Sequence, residues 1–264
     1  MQNPFMVKKI VPAEACADFF ARGQGENSRI GILLIHGFTG NPSSLLPWGK
    51  FLAAKGYTVS IPLLPGHGTE WEELNKIKYQ AWIEKAHKSL MNLRESCDQI
   101  FIFGLSMGGG LSCRIIEIEA ENGRAINGAI LVNPMIHIPG IAIKFGRIIT
   151  LFKKSRPAVG DDIRKPGVSE YSYDALPLVG VRELHKMLKT TRKKLDLITN
   201  PIMLFHSVQD HVLPISNSDI IENEVSSQKF RRFELTSSYH VATLDYDQEF
   251  IFNNSIIFIN QNLR

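Results

Sequence analysis

The sharpest chemical signal in the sequence is IFIFGLSMGGG, residues 100 to 110, where Ser106 stands between Gly104 and Gly108. An apolar run leads directly into Gly104-Leu105-Ser106-Met107-Gly108, and a helical pattern follows it. This is G-x-S-x-G at a strand-to-helix turn. A serine in that position sits on a tight, strained backbone. Small residues two places to either side let strand and helix approach, and the helix start favours developing negative charge. The chemistry on offer is nucleophilic attack by a hydroxyl. The plain alternative is a glycine-rich turn with no chemistry. A phosphate loop is excluded, because no Gly-Lys-Ser/Thr follows the glycines.

A serine hydroxyl needs a base, and the base needs a carboxylate to fix its tautomer and stabilise its cation. The apolar run PIMLFHS is followed by Val208-Gln209-Asp210-His211, which puts Asp210 in a loop just past a strand. The run KFRRFEL leads through Thr236-Ser237-Ser238-Tyr239 to His240. Rival groups lie elsewhere: Asp196 precedes its strand, Asp219 falls in a helix, Asp161 and Asp162 fall in an insertion, and His87, His137 and His185 are away from strand ends. A metal set of His206, Asp210 and His211 is disfavoured, since a strand followed by a bend does not hold all three on one face. No metal or cofactor is expected.

Upstream, IGILLIHGFTG is another apolar run, ending in His-Gly-x. A loop in that place donates one backbone N–H to a reacting oxyanion, and the residue after the nucleophile donates the second. Those donors would be Phe38 and Met107, each worth about 3 kcal/mol in a transition state. Gly37 and Gly40 are read as keeping the loop open to substrate, and His36 and His67 as side chains that pin loops.

The elements that must position these groups are legible as short β-branched runs alternating with helical patterns, the mark of a mostly parallel sheet wrapped by helices. Strands are expected over residues 30–35, 57–61, 99–103, 129–132, 202–206 and 229–235, and helices over 44–55, 79–94, 107–121 and 250–262. Residues 135 to 200 exceed an ordinary crossover, so they should hold an insertion as well as a helix. The division expected is a core of residues 1–134 and 182–264 with a cap insertion at 135–181. Ser106, Asp210 and His240, in that chain order and all at strand ends, describe an α/β-hydrolase fold.

The bulk numbers agree with one such domain. The chain has 264 residues, 44% of them hydrophobic and 21% charged. Its net charge of +4, from 30 basic and 26 acidic residues, is too small and dispersed to argue for nucleic acid. The 3 cysteines form no Cys-x-x-Cys pair, and the start lacks the apolar stretch of a secretory signal peptide. With no stretch near the roughly 18 apolar residues of a membrane span, a cytoplasmic location is expected.

With HGFTG, GLSMGG, Asp210-His211-Val212 and the run Ser238-Tyr239-His240-Val241-Ala242-Thr243-Leu244-Asp245 in place, the chain resembles bacterial monoacylglycerol lipases and the small carboxylesterases that share their fold. The likeness runs from about residue 30 to the C-terminus. It implies a serine ester hydrolase acting on small-molecule esters, most specifically monoacylglycerols, with Ser106 as nucleophile, Asp210 as acid, His240 as base, and Phe38 and Met107 as oxyanion donors. In the insertion it implies Glu170 as the residue that senses glycerol and Val159 as a pocket-lining residue. A general carboxylesterase or thioesterase, and a non-catalytic binding protein on the same scaffold, remain the alternatives. Ile141, Phe145, Ile148, Ile149 and Phe152 recur at helical spacing, with Lys144, Arg147 and Lys154 mainly elsewhere. This stripe reads either as weak peripheral membrane contact or as packing over the pocket, and packing is preferred. Oligomeric state is not legible.

Overall fold

The computed structural model describes residues 16–138, 154–158 and 160–263. The elements in chain order are β1 (Phe19–Ala21), β2 (Ile30–Ile35), α1 (Leu46–Ala54), β3 (Thr58–Ile61), α2 (Trp71–Leu74), α3 (Tyr79–Arg94), β4 (Gln99–Leu105), α4 (Met107–Glu121) and β5 (Gly128–Val132). They continue with β6 (Ser155–Pro157), β7 (Ala175–Pro177), α5 (Leu178–Arg192), β8 (Ile202–Ser207), α6 (Ser216–Glu224), β9 (Phe230–Leu235) and α7 (Gln248–Gln261).

Seven strands form one sheet in the order β1-β3-β2-β4-β5-β8-β9. All neighbours are parallel except β1 on β3. The central strands are apolar throughout because helices cover both faces. Leu33, Ile35, Ile100 and Ile102 pack with side chains of α3, α4 and α5 on one face. Ile32, Leu34, Phe101 and Phe103 point the other way, into the layer holding Trp48 of α1 and Phe252 and Phe258 of α7. Alternate residues of each strand thus serve opposite layers, as a pleated strand requires.

This topology prepares a site. The chain leaves β2 outward to β3 and returns through β4 on the other side of β2, so the strand order reverses between β2 and β4. Open α/β sheets bind ligands outside the carboxyl ends of their strands at such a switch point. The register aligns Ile35 with Gly104, Leu105 with Val132, Val132 with Phe205, and Ser207 with Leu235. The loops carrying Phe38, Ser106, Asp210 and His240 therefore leave one edge.

The expected strands are present, with ends differing by a residue or two. β4 continues past Phe103 to Leu105 and delivers the chain directly to Ser106. The antiparallel edge strand β1 and the β6–β7 pair were not anticipated; each spans only three residues, too few to show a period. α5 starts at Leu178, so residue 181, the expected end of the cap, falls within that helix. Val159 and the stripe from Ile141 to Phe152 lie outside the described residues. Among the described residues no helix is long and apolar enough to cross a membrane.

Candidate active site

Ser106 occupies the turn between β4 and α4 with φ 56°, the left-handed region that costs a non-glycine residue energy. The strain is held in place by its neighbours. Its N–H donates to the Val132 carbonyl at 3.0 Å, and its own carbonyl accepts from Gly109 at 2.9 Å and Met135 at 2.9 Å. A Cβ on Gly108 would lie 1.9 Å from the Ile35 carbonyl oxygen, and one on Gly104 would lie 2.3 Å from the Gly108 oxygen. Neither position admits a side chain, which is why the pentapeptide has its form. Ser106 is buried but for 6% of its surface.

Past β8, the Asp210 carboxylate accepts three hydrogen bonds. Oδ1 takes the N–H groups of Val212 at 2.8 Å and Leu213 at 2.7 Å, and Oδ2 faces His240 Nδ1 at 2.7 Å. Burial pushes this carboxyl up, but the charge and hydrogen bond of His240 and the two amides outweigh it, so it stays below the usual carboxylate range. For His240, burial favours the neutral ring, yet Asp210 first and then the charges of Glu170 and Asp162 raise it above the ordinary histidine value. Because Nδ1 is engaged by Asp210, Nε2 is the ring nitrogen left to accept a proton.

The loop after β2 lies against Ser106. A Cβ on Gly37 would stand 3.4 Å from Ser106 Cβ and 3.8 Å from its Oγ. The Phe38 ring meets Trp82 and His67 edge-on at 6.0 and 6.1 Å, which orients the backbone of this loop. His36 Nδ1 pairs with the Gly37 carbonyl at 2.9 Å, and the Leu64 N–H donates to His36 Nε2 at 3.1 Å. Burial pushes this imidazole down to about 4, so it is a neutral pin between two loops. His67 is likewise buried, with Nδ1 on the Pro65 carbonyl at 3.2 Å. Gly40, expected to leave room for substrate, faces Glu170, whose Oε2 would lie 3.1 Å from a Cβ there.

Residues 160 to 173 form a second wall. The Glu170 carbonyl accepts from Asn41 Nδ2 at 3.2 Å and Ser43 Oγ at 2.9 Å, and the Tyr173 N–H donates to the Thr39 carbonyl at 3.1 Å. At the other end Asp245, fully buried, accepts from the amides of Arg164 at 2.7 Å, Lys165 at 3.0 Å, Tyr239 at 3.0 Å and Tyr246 at 2.9 Å. The wall therefore joins the Phe38 loop to the His240 loop. Glu170 is half-buried, and its carboxylate stands over Gly40 within electrostatic reach of His240.

Two of the other candidates, His87 and Asp219, are engaged away from this edge. His87 Nε2 faces Glu119 at 3.0 Å, and Asp219 accepts from Arg232 at 2.7 Å. His206, Asp210 and His211 turn to three different partners, Ser218, His240 and Asp162. Sequence reasoning missed two residues that hold the loops together. Asn133, at φ 43°, donates from Nδ2 to the His240 carbonyl at 2.6 Å and to Ser207 Oγ at 2.9 Å. Asp162 grips the Asp210 and His240 loops from the opposite side. An asparagine before proline at a strand end was the only available hint of the first.

Comparison with known proteins adds the context. The Hydrolase_4 family, described as serine aminopeptidase, S33, matches residues 26–247. The chain is similar to the thermostable monoacylglycerol lipase of Bacillus sp. (strain H-257), 38% identical over 235 residues that cover 88% of this chain and 91% of that protein. It is similar to a carboxylesterase of Bacillus subtilis (strain 168), 23% identical over 231 residues, covering 87% and 92%. Among solved structures, one from the metagenome-derived lipolytic enzymes LipS and LipT matches with TM-score 0.87 at 30% identity, covering 96% of this chain and 100% of that one.

Proposed function

The chain belongs to the Hydrolase_4 family of serine hydrolases and has the α/β-hydrolase fold, and from that premise we propose that it cleaves monoacylglycerols through a serine acyl-enzyme. The observation that carries the reading is the 2.7 Å Asp210–His240 pair on the sheet edge where Ser106 stands in its strained turn. The printed activity of the 38% identical relative supports the substrate class.

In this reading His240 Nε2 takes the Ser106 proton as Oγ attacks the ester carbonyl, and the N–H groups of Phe38 and Met107 receive the oxyanion. The bond to the alcohol breaks, and the alcohol leaves with the proton held on His240. Water, deprotonated by the same ring, then releases the fatty acid and restores Ser106. Glu170 accepts hydroxyls of the glycerol group, a role its place over Gly40 supports. In the same reading the insertion of residues 135–181 serves as a cap over a core of 1–134 and 182–264. Cys16, Cys97 and Cys113 are all free thiols, which supports a cytoplasmic setting.

A hydrolysis panel of mono-, di- and triacylglycerols, nitrophenyl esters and acyl thioesters tests the reading. Monoacylglycerols should give the highest kcat/KM. Preference for short simple esters or thioesters would move the assignment to a general carboxylesterase or thioesterase. No turnover of any ester would return the chain to the binding-protein alternative.

A further inference from the structure

His240 is held by its backbone from two directions. Its carbonyl accepts from Asn133 Nδ2 at 2.6 Å, and its N–H donates to Asp162 Oδ2 at 3.1 Å. The same Oδ2 accepts the N–H of His211 at 3.2 Å, while Oδ1 faces His211 Nδ1 at 2.8 Å. The Asp162 carbonyl takes the Val241 N–H at 3.1 Å. One residue of the insertion therefore grips the neighbour of Asp210 on one side and the amides of His240 and Val241 on the other.

We propose that Asp162 is a positioning residue that locks the acid-bearing loop to the base-bearing loop. The proposal rests on the serine-hydrolase reading above. Its physical basis is that Asp210 and His240 stand beyond the strands, where the β8–β9 ladder ends at Ser207 and Leu235 and no longer sets their separation. Asn133 restrains them from the sheet side, and Asp162 supplies the restraint from the cap side. The His211 ring closes the clamp, packing edge-on to Tyr239 at 4.5 Å.

A carboxylate in this place has a second effect. His240 becomes a cation when it takes the serine proton, and the charged groups around it are Asp210, Glu170 and Asp162, with the His206 ring as the opposing neighbour. The Asp162 charge helps that cation form. Geometry and charge can be separated by substitution. Asp162→Asn keeps an oxygen that can accept both amides and removes the charge, whereas Asp162→Ala removes both.

The test is kcat per titrated active site, with the pH profile of kcat/KM, for wild type and both variants on a monoacylglycerol. Asp162→Ala should lose about 100-fold in kcat, the scale of a misplaced catalytic group, with KM little changed. Asp162→Asn should recover most of that loss, and in both variants the acid limb should move to lower pH. Counting only titrated sites removes unfolded protein from the comparison, and if Asp162→Ala does not fold, the limb of Asp162→Asn decides. Near wild-type kcat with an unmoved limb overturns the proposal. So does a loss confined to the number of titratable sites. If wild type itself neither hydrolyses ester nor reacts with a fluorophosphonate, the hydrolase reading fails instead.

Discussion

The two walls of the site are held by different means. The wall carrying Ser106, Asp210 and His240 hangs from the carboxyl ends of β4, β8 and β9, whose parallel ladder and two apolar layers set where each loop begins. The wall formed by residues 160 to 173 has no strand in the main sheet. It is fastened by polar side chains to backbone amides and carbonyls: Asp245 to Arg164 and Lys165, Asp162 to His211 and His240, and Asn41 and Ser43 to Glu170. A ladder distributes its restraint over many bonds, so few single side chains are indispensable to it. A wall tied by a handful of carboxylates concentrates the same task in those residues. Chemistry on the first wall and placement on the second should therefore fail differently.

Breaking the sheet-borne wall should give the largest effects on rate and almost none on stability. Ser106→Ala or His240→Ala should each lower kcat by about a million-fold if the groups act as a unit, with an unchanged melting curve. Asp210→Asn should cost about ten-thousand-fold through the wrong imidazole tautomer. Ester turnover and circular dichroism on the same samples check both.

Breaking the cap-borne wall should act through stability and placement, with losses of rate far smaller than those at Ser106 or His240. Asp245→Asn presents an amide NH2 where the carboxylate accepted N–H groups, leaving buried donors unpaired. The expected loss is about 2–4 kcal/mol, read as a fall in melting temperature of roughly 5–15 °C. Glu170→Gln should raise KM for monoacylglycerols by about 10-fold while leaving nitrophenyl esters unaffected, a split that steady-state kinetics on the two substrates resolves.

The smallest effect sharpens the electrostatic side. With His240 as the proposed base, its neutral form is the active one, so kcat/KM should fall as pH drops through its titration. Because Asp210, Glu170 and Asp162 raise that titration, the midpoint should lie above the ordinary value of 6.5. Removing the Glu170 charge should shift it to lower pH. A midpoint below 6.5 in wild type would contradict the order of these contributions.

The same division explains what could be read from the sequence. β2, β4, β5 and β8 show as unbroken apolar runs because both faces are buried, and the turn at Ser106 shows because Gly104 and Gly108 can carry no side chain. Asp210 is legible because it follows such a run, whereas His240 follows the partly buried, charged strand β9 and is marked by the chain order serine, aspartate, histidine. β1 is not legible, since three residues with one exposed carry no pattern. Asp162 looks in the sequence like one acid among several in the insertion, because its amide partners lie 49 and 78 residues away. Asp245 closes the run from Ser238, yet its task becomes visible only when Arg164 and Lys165 arrive from 81 and 80 residues upstream. Local spacing reports a ladder well and reports a long-range carboxylate clamp hardly at all.

Everything proposed for the site turns on Ser106 as the nucleophile that takes the acyl group, activated by His240. Peptide mass spectrometry after reaction with a fluorophosphonate reads it most directly. One stoichiometric adduct is expected, on the peptide containing Ser106, and it should be lost in His240→Ala. An active enzyme that carries no adduct on Ser106, or that labels equally well without the imidazole, would contradict that role.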